Sequence, residues 1–163
     1  MILRVRERII NFSRGDDLRG FWHLFYFRKK AKNRLFKDML GFSCSRSAHR
    51  HGGYVGIDAD IKGIPSLPHG LHGVFISRYS SIGAGCRIYQ NVTIGEKGQK
   101  APCIGRSCLI GAGAVLIGDI KIGDNVKIGA GAVVFTDIPD NSTVVSQAPR
   151  ILIKESEGEQ QNA

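Results

Sequence analysis

Acidic residues are scarce at the start of this 163-residue chain: positions 1–50 hold 4 Asp and Glu beside 13 Lys and Arg, whereas positions 51–163 hold 10 of each. The net charge of +9 therefore belongs wholly to the first third, and the remainder is neutral. Glycine is short in the same stretch, with 3 of its 21 copies before residue 51. Long apolar runs are lacking throughout. None nears the ~20 residues needed to cross a bilayer, and the best candidate, Phe21–Phe27, is interrupted by His23. Met1–Asn11 alternates arginine with apolar residues and does not read as a signal peptide, so a cytoplasmic location is expected. The four cysteines (Cys44, Cys86, Cys103, Cys108) lack the paired spacing of a zinc site and read as reduced thiols. Histidine stops early: His23, His49, His51, His69 and His72 are all of it, so any histidine base must come from the first half.

What is present is a repeat. Ile76, Ile82, Ile88 and Ile94 lie six apart, and Ile104, Ile110, Leu116, Ile122, Ile128 and Val134 resume the step. A small or branched apolar residue stands at the fourth place after eight of these ten: Cys86, Val92, Cys108, Ala114, Ile120, Val126, Ala132 and Ile138. A six-residue period is not helical, because 3.6 residues per turn would carry the aliphatic around the cylinder. It suits a short extended segment and a turn, three of which close a triangular coil that stacks at strand spacing. Glycine recurs just after the aliphatic (Gly83, Gly95, Gly105, Gly111, Gly123, Gly129), and is expected to supply backbone freedom at the turn. Tyr54–Gly73 is expected to add an irregular first coil with Val55, Ile57, Ile61 and Leu67 inward. Between Ile94 and Ile104 four residues are extra, placing a loop within Glu96–Cys103.

Three parts follow: a basic helical segment and connector over 1–50, a solenoid over 51–150, and a Glu/Gln-rich tail over 151–163 expected to be largely disordered. Helical spacing covers Arg4–Phe12 and Gly20–Leu40, the latter with Phe21, Leu24, Phe25, Phe27, Ala31, Leu35, Met39 and Leu40 on one broad apolar side. Gly41 is placed as its stop, and Gly41–Gly53 as a polar connector. The basic segment is read either as a cap on the solenoid or as a peripheral membrane contact. Nucleic acid is not expected, because no recognised motif accompanies the charge.

The hexads, with Leu67–Ser77, Ile88–Gly95, Ile110–Ala114 and Ile128–Val134, resemble the hexapeptide-repeat acyltransferases, in their serine acetyltransferase branch. The resemblance implies a mainly β fold, a left-handed parallel β-helix, assembled as a homotrimer that uses acetyl-CoA as co-substrate and no metal. It implies a catalytic histidine just before the Gly-aliphatic strand, matched by His69 with His72 as competitor. Histidine fits a general base because it titrates near neutrality. The family orients its base with an upstream carboxylate, for which Asp58 and Asp60 are the candidates, although Gly56 stands where that aspartate belongs.

The same comparison shapes the expected acceptor. Pro68 stands where serine acetyltransferases carry Asp, and Lys100-Ala101-Pro102 lacks their Arg-His pair. A sugar hydroxyl in surface polysaccharide biosynthesis is therefore expected, as in small colanic-acid-type O-acetyltransferases, with serine as the alternative. For the donor, the resemblance points to Gly111, Ala112 and Ala130 along a coil edge, with Gly95 and the loop after it walling the thioester end. Ala112 and Ala130 lie 18 apart, one full coil. Lys127, Arg150 and Lys154 are candidates for CoA phosphates. The rival classes are a non-catalytic scaffold and a zinc-dependent solenoid. The latter needs three histidines on neighbouring coils, and the regular coils here have none.

Overall fold

A computed structural model of the protein describes residues 18–147. Two helices precede thirteen short strands: α1 (Arg19–Lys30) and α2 (Arg34–Arg50), then a parallel β-solenoid of about four turns. Its strands form three faces. The first holds β1 (Tyr54–Val55), β3 (Phe75–Ile76), β6 (Thr93–Gly95), β9 (Val115–Ile117) and β12 (Val133–Val134). The second holds β2 (Asp60–Ile61), β4 (Ser81–Ile82), β7 (Cys103–Ile104) and β10 (Lys121–Ile122). The third holds β5 (Arg87–Ile88), β8 (Leu109–Ile110), β11 (Lys127–Ile128) and β13 (Thr143–Val144).

The register restates the period. Ile76 pairs with Ile94, Ile94 with Leu116 and Leu116 with Val134, so the extra residues sit wholly in the loop and leave the stack in phase. All ten repeat aliphatics are buried, as are Cys86, Val92, Cys108, Ala114, Ile120, Val126 and Ala132, with Ile138 half-buried. Each buried aliphatic contributes about 1.5–3 kcal/mol. No coil could offset its own ordering entropy alone, and stacking shares that burial between neighbours. Outward positions differ by face. Tyr54, Phe75, Thr93, Val115 and Val133 make the first face apolar; Asp60, Ser81, Cys103 and Lys121 make the second polar; Arg87, Leu109, Lys127 and Thr143 make the third partly basic.

The recurring glycine has a different cause from the one expected. Gly83, Gly105 and Gly123 do not adopt positive φ; a Cβ on Gly83 would lie 2.5 Å from the Gly105 carbonyl oxygen, and one on Gly105 2.6 Å from that of Gly123. These positions clear the backbone of the next coil. The left-handed conformation falls two places later, at Gly85, Asn91, Ser107, Gly113, Asn125, Gly131 and Asn141. Asn and Gly tolerate it best.

In the first coil Val55 and Ile61 are buried while Ile57 and Leu67 are half-buried, and Ala59 and Leu71 fill the remaining interior. Phe21, Trp22 and Phe25 of α1 are buried in the core that covers this end of the solenoid. Arg28, itself buried, donates through Nη1 to the Ile57 carbonyl at 2.9 Å and meets Asp58 at 3.2 Å. Terminal repeats need such a cover because their inner face is otherwise wet.

The single helix expected over Gly20–Leu40 is two. Ala31 turns extended (φ −66°, ψ 130°), and Asn33 caps α2 by accepting the Phe36 N–H at 3.0 Å. Gly41 does not stop a helix. It lies inside α2, where a Cβ would sit 3.0 Å from Arg28 Nε and 3.1 Å from Ile57 Cδ1. The supposed connector is helical to Arg50. It ends in a Schellman turn, with Gly52 N–H donating to the His49 carbonyl and Gly53 N–H to that of Ala48. Among the described residues no helix is long and apolar enough to cross a membrane. The helix expected at Arg4–Phe12 and the tail over 151–163 lie outside the described residues.

Candidate active site

The corner joining the third face to the first gathers most of the expected site. Its turns stack in register: Asn91 N–H donates to the His72 carbonyl (2.9 Å), Gly113 N–H to that of Gln90 (3.0 Å) and Gly131 N–H to that of Ala112 (2.8 Å). One column therefore runs His72, Gln90, Ala112, Ala130 down the edge. His69 lies just before the top of this column, exposed in a turn closed by Gly70 N–H on the Leu67 carbonyl (3.1 Å). Its ring centroid is 6.0 Å from that of Tyr89. His72 is exposed too, with Nδ1 3.4 Å from where a Cβ on Gly52 would stand. A depression of about 470 Å³ adjoins it, lined by His49, Gly52, Gly53, Tyr54, Gly73, Val74 and Phe75.

The column widens going down, because Ala112 and Ala130 present methyl groups where Gln90 presents an amide. Gly111 is fixed by stacking instead: a Cβ there would lie 2.6 Å from the Ala130 nitrogen. Gln90 and Tyr89 were not singled out in the sequence. Gln90 Oε1 is buried and has no hydrogen-bond partner among the described residues, although such atoms are normally paired. Its signal was readable, since Gln90 occupies the repeat position of Ala112 and Ala130. Lys127 is exposed on the third face, a few residues before Ala130.

The remaining candidates lie elsewhere in the chain. Asp58 occupies the corner between the first and second faces, where it meets Arg28; His69 is at the other end of the first face, so one chain does not bring the two together. Asp60 is held below the ordinary carboxylate range by a hydrogen bond from Lys62. Gly95 shares the Asp58 corner and leads into the loop, which folds back on itself through paired Lys97 and Lys100. Lys100 forms an ion pair with Asp119, which raises its pKa. Arg150 and Lys154 lie outside the described residues. Cys86 and Cys108 are buried at the third corner, donating to the Gly105 and Gly123 carbonyls (3.2 and 3.1 Å). The neighbouring Cys86 and burial push the Cys108 thiol up, keeping it protonated. Among the described residues no three His, Cys, Asp or Glu are grouped as metal ligands would be.

Residues 104–136 match the family model "Bacterial transferase hexapeptide (six repeats)". Over 135 residues the chain is 36% identical to a serine acetyltransferase of Helicobacter pylori, covering 80% of this chain and 72% of that one. A serine acetyltransferase of Synechococcus elongatus is 40% identical over 92 residues, covering 54% of this chain and 37% of the relative. Among solved structures, a soybean serine acetyltransferase complexed with serine superposes with a TM-score of 0.63 at 30% identity, covering 79% of this chain and 53% of that one. The chain thus spans about half or less of the length of the last two. These matches overturn the expected sugar acceptor. That expectation weighed the short helical segment before the coils and three missing polar positions, Pro68 for Asp and Lys100-Ala101 for Arg-His. The similarity instead runs through the coils that build the corner.

Proposed function

The chain belongs to the hexapeptide-repeat acyltransferase family, in its serine acetyltransferase-like branch, and on that premise we propose that it transfers acetyl from acetyl-CoA to the hydroxyl of serine. The observation that carries this reading is the corner column, which puts two exposed histidines at the head of an edge lined by Ala112 and Ala130. Pantetheine is a thin chain with two amides, and an edge of methyl side chains leaves it room.

In this mechanism His69 takes the serine hydroxyl proton as the oxygen attacks the thioester carbonyl. Collapse of the tetrahedral intermediate breaks the C–S bond, and the imidazolium returns its proton to the departing CoA sulfur. Backbone N–H groups of the coil and loop stabilise the oxyanion. Lys127, with Arg150 or Lys154, meets the CoA phosphates. A zwitterionic acceptor needs groups of both signs, and the loop offers exposed Glu96 and Lys97.

The same reading takes the working form as a homotrimer. The first face is the apolar one, with Tyr54 and Phe75 stacked at 4.8 Å, Ile117 partly exposed and Val133 largely so. The histidine corner and the Gly95 loop flank it at opposite ends. Association through that face supplies the loop of one copy to the histidine corner of the next. A monomeric mass in sedimentation equilibrium would remove this arrangement.

The acceptor is tested by following free thiol from acetyl-CoA with L-serine and, separately, with hexoses and amino sugars. Serine-dependent release well above the no-acceptor rate is expected. Release with sugars alone would overturn the assignment.

A further inference from the structure

The outward side of α2 is unlike the rest of the surface. Its buried residues, Gly41, Cys44 and Ala48, face the interior. At 100° per residue the opposite ridge carries Leu35, Met39, Phe42, Arg46 and Arg50. The three apolar members stand 73%, 62% and 70% exposed, far more than a folded interior element would leave. Phe36 and Phe27, also exposed, meet edge-on beside them at 6.2 Å. Next to Phe42 a shallow depression of about 420 Å³ is lined by Ser43, Arg46, Ser47 and Arg50. Residues 18–50 hold nine Lys and Arg and one acidic residue, Asp38. Arg28 and Lys29 turn to Asp58 and Asp60 of the first coil, whereas Lys30, Lys32, Arg34, Arg46 and Arg50 are exposed.

We propose that this face of α2 docks the protein on an anionic phospholipid surface. The helix lies flat on the membrane, with Leu35, Met39 and Phe42 entering the boundary between headgroups and acyl chains. Arg46 and Arg50, aided by the Ser43 and Ser47 hydroxyls, take lipid phosphates in the depression beside Phe42. Lys30, Lys32 and Arg34 add attraction at the other end of the ridge. Charge decides the occupant. A second copy seated on this face would bring like charges together around Arg46 and Arg50, while an anionic bilayer complements them and also accepts protruding apolar side chains. α1 supplies the cap on the solenoid, so the outward ridge of α2 is left to face a partner.

The full chain is centrifuged with vesicles of phosphatidylcholine, and with the same vesicles containing phosphatidylglycerol. Binding to the second only, weakened by salt, is expected. The triple variant Leu35→Ser/Met39→Ser/Phe42→Ser and the double variant Arg46→Gln/Arg50→Gln should each lower the partition coefficient about tenfold or more. Both should keep the wild-type unfolding midpoint, because all five side chains are exposed. Vesicle binding that is absent, or equal on the neutral lipid, would overturn the proposal. So would vesicle binding that survives both variants. If the variants change the sedimenting mass in lipid-free buffer, the face is an interface between copies. With neither vesicle binding nor a mass change, the ridge takes neither occupant. Either result overturns the proposal.

Discussion

Replacing His69 by alanine should lower turnover of acetyl-CoA and serine by about 100-fold or more while leaving CoA binding and thermal stability near wild type. The size follows from losing a general base, which contributes about 10²–10⁴-fold. The selectivity follows from the position of the side chain. His69 is exposed in a surface turn whose closure depends on Gly70 and the Leu67 carbonyl, not on the imidazole, so truncation leaves no buried hole. The Tyr89 ring loses one neighbour at 6.0 Å, a small change in packing. His72→Ala is the paired control. It heads the Ala112 column and abuts Gly52, so its loss should disturb the mouth of the edge more than the proton transfer. If His69→Ala retains full activity and His72→Ala abolishes it, His72 is the base.

The largest stability effect is expected from the smallest substitution. Gly83→Ala adds one methyl, yet that Cβ would lie 2.5 Å from the Gly105 carbonyl oxygen and 2.8 Å from the Arg106 nitrogen. Both are backbone atoms of the next coil and cannot swing aside. Gly83 N–H also donates to the Ile104 carbonyl at 2.8 Å, so parting the coils strains the ladder. Overpacking of this kind costs about 3 kcal/mol or more. Gly113→Ala makes the contrast. Nothing lies within 4 Å of its Cβ position, and only its φ of 67° is unfavourable to alanine, at about 1–2 kcal/mol. Urea unfolding of the two variants checks this. Equal losses would mean that backbone freedom, and not stacking clearance, explains the recurring glycine.

Those two glycines also mark what the sequence could and could not reveal. A six-residue aliphatic period needs only one chain to be seen, and Ile76 to Val134 gave the coil, its register and the loop after Gly95. The reason for the glycine beside each aliphatic was hidden, because clearance depends on the backbone 18 or more residues away. At the start of the chain the apolar spacing read as one helix, since Phe21 and Phe25 share a helical stripe with Leu35 and Met39 only if nothing interrupts it. Asn33 was a local sign of a new helix start. Gly41 read as a terminator because its role depends on Arg28 and Ile57 arriving from other elements. In the candidate site, the 18-residue step placed Ala112 above Ala130, and the fold added His72 and Gln90 to the same column. Asp58 failed to join His69 because the two sit at opposite ends of the apolar face, and its contact with Arg28 came from α1, which carries no repeat. The acceptor was misread for a related reason: departures at Pro68, Lys100 and Ala101 were weighed above similarity along the whole edge.

One corner of the solenoid, headed by His69 and His72, must hold the donor for His69 to act on it. The direct measurement is a crystal structure of the protein with CoA. Pantetheine should lie along the Ala112–Ala130 edge with its sulfur beside His69, and an apolar face of a second copy should close the cleft. CoA bound along either of the other two corners of the same chain, away from His69 and His72, would contradict it.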